Sequence, residues 1–387
     1  MRLSVVIPSF YPAVKYGGPI YATLNLSEAL AVLGIDVYVS TTNAHVDQKL
    51  DVIPNKFIAM QKHFSVKYYN ETRINRFSLS LLLNLWKDIL AADLVHIQSI
   101  FSVSTPIALL YSRLFGKKIL LSPRGSLCEW CLKERESFKR GWIKWFIRPF
   151  VGSVVWHVTS EKEADEVKIL FTGAQTVLIT DGINLNEFSN PKRFTKNEYV
   201  KKFTSLDLQV SHTIISLGRL HKVKGFDILI EAFSLLVQED SDAVLMIAGN
   251  DEGERDNLVR QIAAKGLEKR VFLIGPIYGE DKVTFLANAD LFVMPSHTEN
   301  FGIAFAESLA AGTPGIASNQ TPWEGIEEAG CGKWVANEQD SIVNAMRYIL
   351  QQDKATMSAN AISFVSQYDW SKIAYEFYKL FRKMSDK

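Results

Sequence analysis

Cysteine is scarce in this sequence of 387 residues, which has only Cys128, Cys131 and Cys331. The first two form a C-x-x-C pair, the spacing found in zinc sites and redox centres. A structural zinc ion needs about four ligands, and no second pair follows in the sequence. We therefore interpret the cysteines as reduced thiols that take no part in function.

Long hydrophobic runs are also missing. No stretch approaches the roughly 18 apolar residues that are needed to span a bilayer. The first apolar run, Leu3–Ile7, meets Pro8 directly and leaves no signal-peptide core of about 7–15 residues. These two absences predict a cytoplasmic protein, with peripheral attachment to the inner face of the plasma membrane left open.

The chain has almost no net charge, because 43 Lys and Arg residues face 42 Asp and Glu residues. This balance argues against a dedicated nucleic-acid-binding protein, which needs a large basic field. Hydrophobic residues make up 47% of the chain, as in ordinary globular proteins. At about 100–200 residues per domain, the length predicts two domains.

Short β-branched runs alternate with longer amphipathic runs from the start of the chain, which is typical of βαβ units with parallel sheets. Leu3–Ile7 is predicted to be a strand, Ile20–Leu33 a helix that Gly34 ends, and Val37–Ser40 the next strand. Further strands are predicted at Val66–Tyr69, Leu94–Gln98, Ile119–Ser122, Val154–Val158 and Thr176–Ile179. Together these elements predict one doubly wound domain.

A polar stretch from Asn184 to Gln209 is interpreted as a linker region with one short helix, and the domain boundary is placed there. A second alternation follows, with a helix near Gly225–Val237. Its predicted strands are Thr213–Leu217, Ala243–Ala248, Val271–Ile274, Leu291–Met294 and Gly315–Ala317. The amphipathic segment Trp370–Met384 is expected to pack back across the junction.

The strand Thr213–Leu217 runs into a glycine-containing loop with Arg219 and Lys224, and a helix follows. Two cations beside the free N–H groups of a helix N-terminus suit a diphosphate. The segment therefore predicts an anion site. The alternative is that both side chains merely solvate a loop.

Two carboxylates follow the strand Leu291–Met294. Glu299 is placed in the loop at the strand's end, whereas Glu307 lies about two turns inside an apolar helix. Carboxylates accept hydrogen bonds from hydroxyl pairs, so Glu307 suits a ribose diol and Glu299 a sugar hydroxyl. The alternative is a buried Glu307 that pairs with a neighbouring Arg or caps a loop.

The G-R-x4-K-G and Glu-x7-Glu patterns formed by these residues resemble the retaining nucleotide-sugar glycosyltransferases of family 4, and the similarity extends over nearly the whole chain. Phe10–Tyr21, with Gly17 and Gly18, is similar to the family's Gly-Gly loop near the donor phosphate. Thr180–Phe188 resembles the loop that ends the first domain, and Gly275–Lys282 the loop near the nucleotide base.

This resemblance implies the GT-B fold, an α/β architecture of two Rossmann-like doubly wound domains facing a cleft. The first would span residues 1–187 and bind the acceptor, with the C-terminal helix 370–387 crossing back to it. The second, residues 188–369, would bind the nucleotide sugar.

The resemblance also implies roles for individual residues. Arg219 and Lys224 would bind the pyrophosphate, and Glu307 the ribose. The remaining donor contacts would come from Gly17, Gly18, Pro276, Glu299, Asn300, Phe301, Gly302 and Ile303. Glu299 and the backbone of the three residues that follow it would hold the transferred sugar. No cofactor and no metal are expected.

The activity implied is retaining transfer of a hexosyl group from a nucleotide-diphosphate sugar to a glycan or lipid-linked acceptor, in polysaccharide or lipopolysaccharide biosynthesis. A GT-B epimerase or a phosphorylase-like enzyme is the alternative among enzymes. A two-lobed sugar-binding protein is the alternative from another class.

One position departs from the family pattern. Many relatives carry His-Gly after the strand equivalent to Ile119–Ser122, where this chain has Arg124 and Gly125. Arg124 and His157 are therefore candidates for the acceptor side, although a lone strand histidine is more often a core residue. A D-x-D motif at Asp240–Asp242 precedes a strand, so we interpret it as a turn and not as a metal site.

Residues 133–151 carry six basic and two acidic residues interleaved with aromatic ones. On a helix, this pattern predicts a basic stripe beside an aromatic surface, as in helices that lie on anionic membranes. A core helix with a solvated basic edge explains the same pattern equally well.

Overall fold

The computed structural model describes residues 1–14, 17–45, 48–72, 77–133 and 135–385. The chain divides into an N-terminal unit, Met1–Gly182 with Trp370–Lys387, and a C-terminal unit, Ile183–Asp369. The sequence placed the end of the first domain at residue 187, a few residues later. Residues 15–16 of the segment Phe10–Tyr21, Glu134 and the last two residues of the segment 370–387 lie outside the described residues.

The N-terminal unit is built on an eight-stranded sheet. Its strands have the order β10-β9-β8-β7-β1-β2-β6-β5, and all neighbours are parallel except β5 and β6. The strands of this unit, including the small hairpin of β3 and β4, are β1 (Arg2–Ser9), β2 (Asp36–Thr42), β3 (Ala44–His45), β4 (Gln48–Lys49), β5 (Phe57–Gln61), β6 (Phe64–Tyr69), β7 (Leu94–Gln98), β8 (Lys118–Ser122), β9 (Val154–Val158) and β10 (Gln175–Leu178).

The helices of the N-terminal unit occupy the crossovers between these strands. They are α1 (Gly18–Val32), α2 (Leu79–Leu90), α3 (Ser104–Leu114), α4 (Glu129–Lys133), α5 (Glu136–Trp142) and α6 (Glu161–Leu170). A π-helical turn, Ile143–Ile147, and a 3-10 helix, Arg148–Ser153, continue α5. Ser78 begins α2, because its hydroxyl accepts a hydrogen bond from Leu81 N–H and satisfies a free donor of the first turn.

The C-terminal unit has a six-stranded parallel sheet of order β13-β12-β11-β14-β15-β16. This is the strand order of a Rossmann fold. The strands are β11 (Thr213–Leu217), β12 (Val244–Ala248), β13 (Val271–Gly275), β14 (Leu291–Met294), β15 (Gly315–Ser318) and β16 (Gly332–Val335). All five residues of β12 are buried, and they alternate between two core clusters on opposite faces of the sheet. Burial on both faces explains why this strand is continuously hydrophobic.

Helices cover both faces of this second sheet. They are α7 (Lys196–Thr204), α8 (Phe226–Glu239), α9 (Arg255–Ala264), α10 (Gly279–Asn288), α11 (Ile303–Ala310), α12 (Gln339–Leu350) and α13 (Lys354–Val365). The stretch 184–209 is not a linker between the units, because Tyr199 and Val200 of α7 are fully buried in this core. A capping box of Thr195 and Glu198 begins α7, so a locally polar sequence still forms a packed helix.

The last helix, α14 (Trp370–Ser385), belongs to the N-terminal unit and packs against α1. Phe377 and Phe381 of α14 are buried and contact the ring of His96 on β7. The amphipathic pattern of the segment is explained by this packing. Within the described residues, no helix is both long enough and apolar enough to cross a membrane.

Candidate functional site

The strand order of the C-terminal unit brings two loops together. β11 and β14 are parallel neighbours, although β12 and β13 lie between them in the chain. Ligands of open α/β sheets bind outside the carboxyl ends of strands at such a reversal of strand order. The loops that leave β11 and β14 at this edge contain Arg219, Lys224 and Glu299.

The two loops are in direct contact. His297 N–H donates to the carbonyl oxygen of Val223 at 2.8 Å. Gly225 adopts a left-handed conformation, with φ of 65°, and ends a short 3-10 turn before α8. A β-carbon at this residue would lie 2.0 Å from the carbonyl oxygen of Pro295, so only glycine allows this approach.

Lys224 and Glu299 form an ion pair across the two loops. Both side chains are mostly buried, with 19% and 16% of their surface exposed. Ser296 Oγ adds a 3.3 Å hydrogen bond to the same carboxylate oxygen. Lys224, predicted from the sequence to bind the diphosphate, and Glu299, predicted to bind the sugar, therefore lie together.

Arg219 lies closer to the surface and pairs with Glu252 at 2.6 Å. Its loop is held by the loop after β12, since Leu220 N–H donates to Asn250 O at 2.7 Å. Pro276, predicted near a nucleotide base, is exposed in the loop after β13. In the same loop, the hydroxyl of Tyr278 accepts a hydrogen bond from the Asn250 amide at 3.2 Å.

Gly302 precedes α11 with φ of 83°, and a β-carbon there would lie 2.8 Å from the sulfur of Met294. The backbone of the preceding loop is fixed by a hydrogen bond from Trp323 Nε1 to Phe301 O. Phe301 itself is buried, and its phenyl ring packs in the core of the unit. The side-chain amide nitrogen of Asn300, Nδ2, is buried and has no hydrogen-bond partner within the described part of the chain.

Glu307 of α11 pairs with Lys282 of α10 at 2.6 Å, and Lys282 also lies 3.8 Å from Glu187. Burial raises the pKa of Glu307, and the adjacent Lys282 opposes that rise. The carboxylate expected from the sequence to need a partner therefore has one. The partner is Lys282, the last residue of the segment that resembles the base-binding loop. The sequence had offered a neighbouring arginine as the alternative partner.

Asn337 was missed by the sequence analysis. Both polar atoms of its side chain are buried without a hydrogen-bond partner among the described residues. Its amide nitrogen would lie 3.6 Å from a β-carbon at Gly225. The residue follows β16, a strand that the sequence did not predict, so its position at the carboxyl edge of the sheet could not be foreseen.

The other predicted site residues belong to the N-terminal unit. Gly17 has a φ of 84°, which favours glycine, and Gly18 is the first residue of α1. Arg124 also has a left-handed conformation, with φ of 56°, and its side chain is only 6% exposed. It pairs with Asp181 at 2.5 Å and donates from Nε to Gln98 Oε1 at 2.8 Å.

His157 is inside a buried chain of hydrogen bonds that continues towards Arg124. Its Nδ1 lies 2.7 Å from Ser122 Oγ, and its Nε2 lies 2.8 Å from Ile179 O. Ser122 in turn contacts His96, which contacts Gln98. Burial lowers the pKa of His157 to about 3, helped by the charge of Arg124. These contacts agree with the core-residue interpretation of His157.

The D-x-D motif is held in two separate contacts. Asp240 lies 2.6 Å from His212, and Asp242 lies 2.8 Å from Arg270. Across the described ranges, no group of three His, Cys, Asp or Glu residues is arranged to hold a metal ion. Cys128, Cys131 and Cys331 are free thiols.

The aromatic segment 133–151 folds as the end of α4, α5, the π-helical turn and the 3-10 helix. Ile143 and Ile147 are buried, whereas Phe138, Trp145 and Phe146 are exposed. One side of the segment therefore belongs to the core and the other side is an exposed apolar surface, while contact with a membrane stays a prediction.

Residues 202–363 match the family model described as "Glycosyl transferases group 1". This stretch is less than half of the chain and contains Arg219, Lys224, Glu299 and Glu307. The D-inositol 3-phosphate glycosyltransferase of Corynebacterium urealyticum is 26% identical over 223 residues, which cover 54% of this chain and 52% of that protein. The phosphatidyl-myo-inositol mannosyltransferase of Mycobacterium leprae is 24% identical over 245 residues, 62% of each chain. The chain thus spans between half and two thirds of these curated relatives.

Among solved structures, Anabaena Alr3699/HepE in complex with UDP superposes with a TM-score of 0.75 at 18% identity, over 99% of this chain and all of that one. The fold is GT-B. The predicted α/β class with two Rossmann-like units is therefore confirmed.

Proposed function

We propose that this protein is a retaining glycosyltransferase that moves a hexosyl group from a nucleotide-diphosphate sugar to a glycan or lipid-linked acceptor. The observation that carries the proposal is the Lys224–Glu299 pair at the strand-order reversal of the C-terminal unit. A cation and a carboxylate held side by side can contact the two parts of such a donor that react, the diphosphate and the sugar.

The donor's diphosphate is assigned to the loop after β11. Breaking the bond between sugar and phosphate develops negative charge on the leaving group, which nearby cations stabilise. Lys224 and Arg219 are the cations of this loop that we assign to the diphosphate, and the N-terminus of α8 follows the loop with free N–H groups. A diphosphate would compete with Glu252 for the guanidinium of Arg219.

The sugar is assigned to Glu299 and to the backbone from Asn300 to Gly302, and the ribose to Glu307. The buried amides of Asn300 and Asn337 supply further donors and acceptors for hydroxyl groups. Glu307 and Lys282 lie on α11 and α10, beside the loop that we assign to the nucleotide base. The assignment of Gly17 and Gly18 to the donor phosphate stays part of this proposal.

The acceptor is assigned to the N-terminal unit, where Arg124 replaces the histidine of many relatives. A guanidinium donates hydrogen bonds and offers no acceptor, so Arg124 cannot serve as a base. We therefore propose that the acceptor's proton passes to the departing phosphate on the same face of the sugar, which gives retention without a protein base. No metal is required in this proposal, so an excess of EDTA should leave turnover unchanged.

The names of the two curated relatives given above contain inositol 3-phosphate and phosphatidyl-myo-inositol. For this chain, we propose a role in cell-surface polysaccharide or lipopolysaccharide assembly at the cytoplasmic side of a membrane. Residues 133–151, with exposed Phe138, Trp145 and Phe146, would meet that membrane.

A thermal-shift panel of nucleotides and nucleotide sugars tests the donor site. One nucleoside diphosphate should raise the melting temperature by several degrees, and the shift should vanish in Glu307→Ala and Arg219→Ala. That result would support the site and identify the base. If no nucleotide shifts the folded wild-type protein, the transferase proposal fails.

A further inference from the structure

Helix α2 is apolar on two sides, and the core covers only one of them. Leu81, Leu85 and Ile89 are buried against the sheet. On another side, Leu79, Leu83 and Leu90 are exposed, Leu83 to 59%. With Trp86 between them, these residues recur every three or four positions and therefore form one stripe along the helix.

Helix α3 continues this exposed apolar surface. The hydroxyl of Tyr111 donates to the carbonyl oxygen of Leu82 at 2.9 Å, which holds α3 beside α2. Leu110 and Leu114, one turn apart on α3, are exposed. Neither residue belongs to the core cluster that α3 helps to form.

The segment after α5 extends the surface on the far side of α3. Arg113 Nη1 donates to Pro149 O at 3.0 Å, and its guanidinium lies 5.9 Å from the centre of the Phe150 ring. In α5 and the π-helical turn that follows it, Trp145 is 70% exposed, and Phe138 and Phe146 are exposed as well.

The sheet order explains why the three elements are neighbours. The chain moves in the same direction across the sheet from β6 to β7, from β7 to β8 and from β8 to β9. Right-handed crossovers therefore place α2, α3 and α5 on one side of the sheet, in that order. The residues of what we call the apolar face are Leu79, Leu83, Trp86, Leu90, Leu110, Leu114, Phe138, Trp145 and Phe146.

The charges around the apolar face have one dominant sign. Asp88 is the only acidic residue in α2 and α3, and it is buried in a pair with Lys67. Glu136 on α5 is paired with Arg140. The exposed charges of α2 and α3 belong to Lys87 and Arg113, and Lys144 and Arg148 continue the series after α5.

We propose that the apolar face lies on an anionic lipid surface. Its leucine and aromatic side chains would enter the boundary between headgroups and acyl chains, while the surrounding Lys and Arg side chains contact headgroup phosphates. The inference rests on the membrane contact proposed for residues 133–151 and adds α2 and α3 to it. A second copy of the chain fits less well, because two cationic rims would repel each other.

Sedimentation with lipid vesicles tests this surface on the full-length protein. Wild type should bind vesicles of equal phosphatidylglycerol and phosphatidylcholine, and bind pure phosphatidylcholine more weakly. Leu83→Gln/Leu110→Gln and, separately, Trp145→Ala should each lower the partition coefficient about tenfold. The matched control is Val32→Gln, which changes an even more exposed apolar residue at the end of α1, across the sheet. Unchanged melting curves and nucleotide shifts would show that fold and donor site are intact.

The inference is overturned if the double variant binds vesicles like wild type, because lipid contact would then not involve α2 and α3. It is also overturned if wild type ignores both vesicle types, or if it forms a dimer that the double variant abolishes. A nucleotide shift that persists in these outcomes separates failure of the lipid surface from failure of the donor site.

Discussion

The α-carbon of Gly225 faces the carbonyl oxygen of Pro295 so closely that a β-carbon would lie 2.0 Å from that oxygen. Gly225→Ala should therefore push apart the loops after β11 and β14, which carry Lys224 and Glu299. We expect a loss of more than about 2 kcal/mol in the free energy of unfolding, with weaker nucleotide binding. Urea denaturation and nucleotide titration measure both.

The control for that change is Gly266→Ala. Gly266 has the same φ of 65°, but no atom lies within 4 Å of a β-carbon there. It should lose only about 1 kcal/mol, the cost of a left-handed alanine, and bind nucleotide normally. Equal losses in the two variants would show that contact with Pro295 is unimportant.

Lys224→Ala should slow release of nucleoside diphosphate from the donor sugar by about a hundredfold to a thousandfold, because a cation beside the leaving group is removed. Lys222→Ala changes an exposed lysine two residues earlier and should retain the wild-type rate. Single-turnover kinetics with the nucleotide sugar identified by thermal shift give both rates. Similar rates for wild type and Lys224→Ala would rule out the assigned role.

With the role proposed for Glu307, the Glu307–Lys282 pair predicts that the protein distinguishes nucleotides by their ribose hydroxyls. Wild type should bind a nucleoside diphosphate more tightly than its 2′,3′-dideoxy analogue, by about 1.5–3 kcal/mol for hydrogen bonds to a charged group. Glu307→Gln should reduce this preference, measured by calorimetry. If the preference survives the change, Glu307 does not contact the ribose.

Arg124→Ala should destabilise the protein by about 3–5 kcal/mol, because it leaves the mostly buried Asp181 without its partner. Asp181→Asn in the same chain removes the unpaired charge and should restore part of that loss. A double-mutant cycle in urea gives the coupling between the two residues. Additive effects would mean that the pair contributes nothing to stability.

Glu166 predicts a pH dependence of stability. Burial, with the nearby Cys128 and Glu163, raises the pKa of Glu166 to about 7 from the usual 4.5. Between these two values the folded state holds a proton that the unfolded state has lost, so wild-type stability falls as pH rises. Glu166→Gln should therefore gain stability relative to wild type between pH 5 and pH 8. If the free energies of unfolding of Glu166→Gln and wild type differ by the same amount at pH 5 and pH 8, the raised pKa of Glu166 is contradicted.

The strands that the sequence predicted at their observed residues are β7, β9, β11 and β14. They are almost fully buried and rich in apolar and β-branched residues, which gives a strong signal. β5 and β16 were missed because they lie at sheet edges, where fewer residues are buried and the pattern weakens.

In the candidate site, the sequence placed Arg219, Lys224 and Glu299 in loops at strand ends, and those loops occur there. The ion-pair partners of the site residues could not be predicted from the sequence. Glu252 pairs with Arg219, and Lys282 with Glu307, because loops and helices that follow different strands meet at one edge of the sheet. Neither Glu252 nor Lys282 lies in the motif of its partner. The prediction of a linker at residues 184–209 was wrong because the buried side of α7 is short and surrounded by polar residues, which hides the helix in the sequence.

The first and last residues of the C-terminal unit are direct neighbours in the structure. Ile183 N–H donates to Tyr368 O at 2.8 Å, and Ile183 pairs with Asp369 in a parallel bridge. Residues 183–369 therefore form a cassette whose two ends are adjacent, inserted between α14 and the rest of its unit. A protein engineer can exchange this cassette for that of another member of the fold through two neighbouring joints. Under the donor and acceptor assignments proposed above, the exchange would graft a different donor specificity onto the same acceptor-binding half.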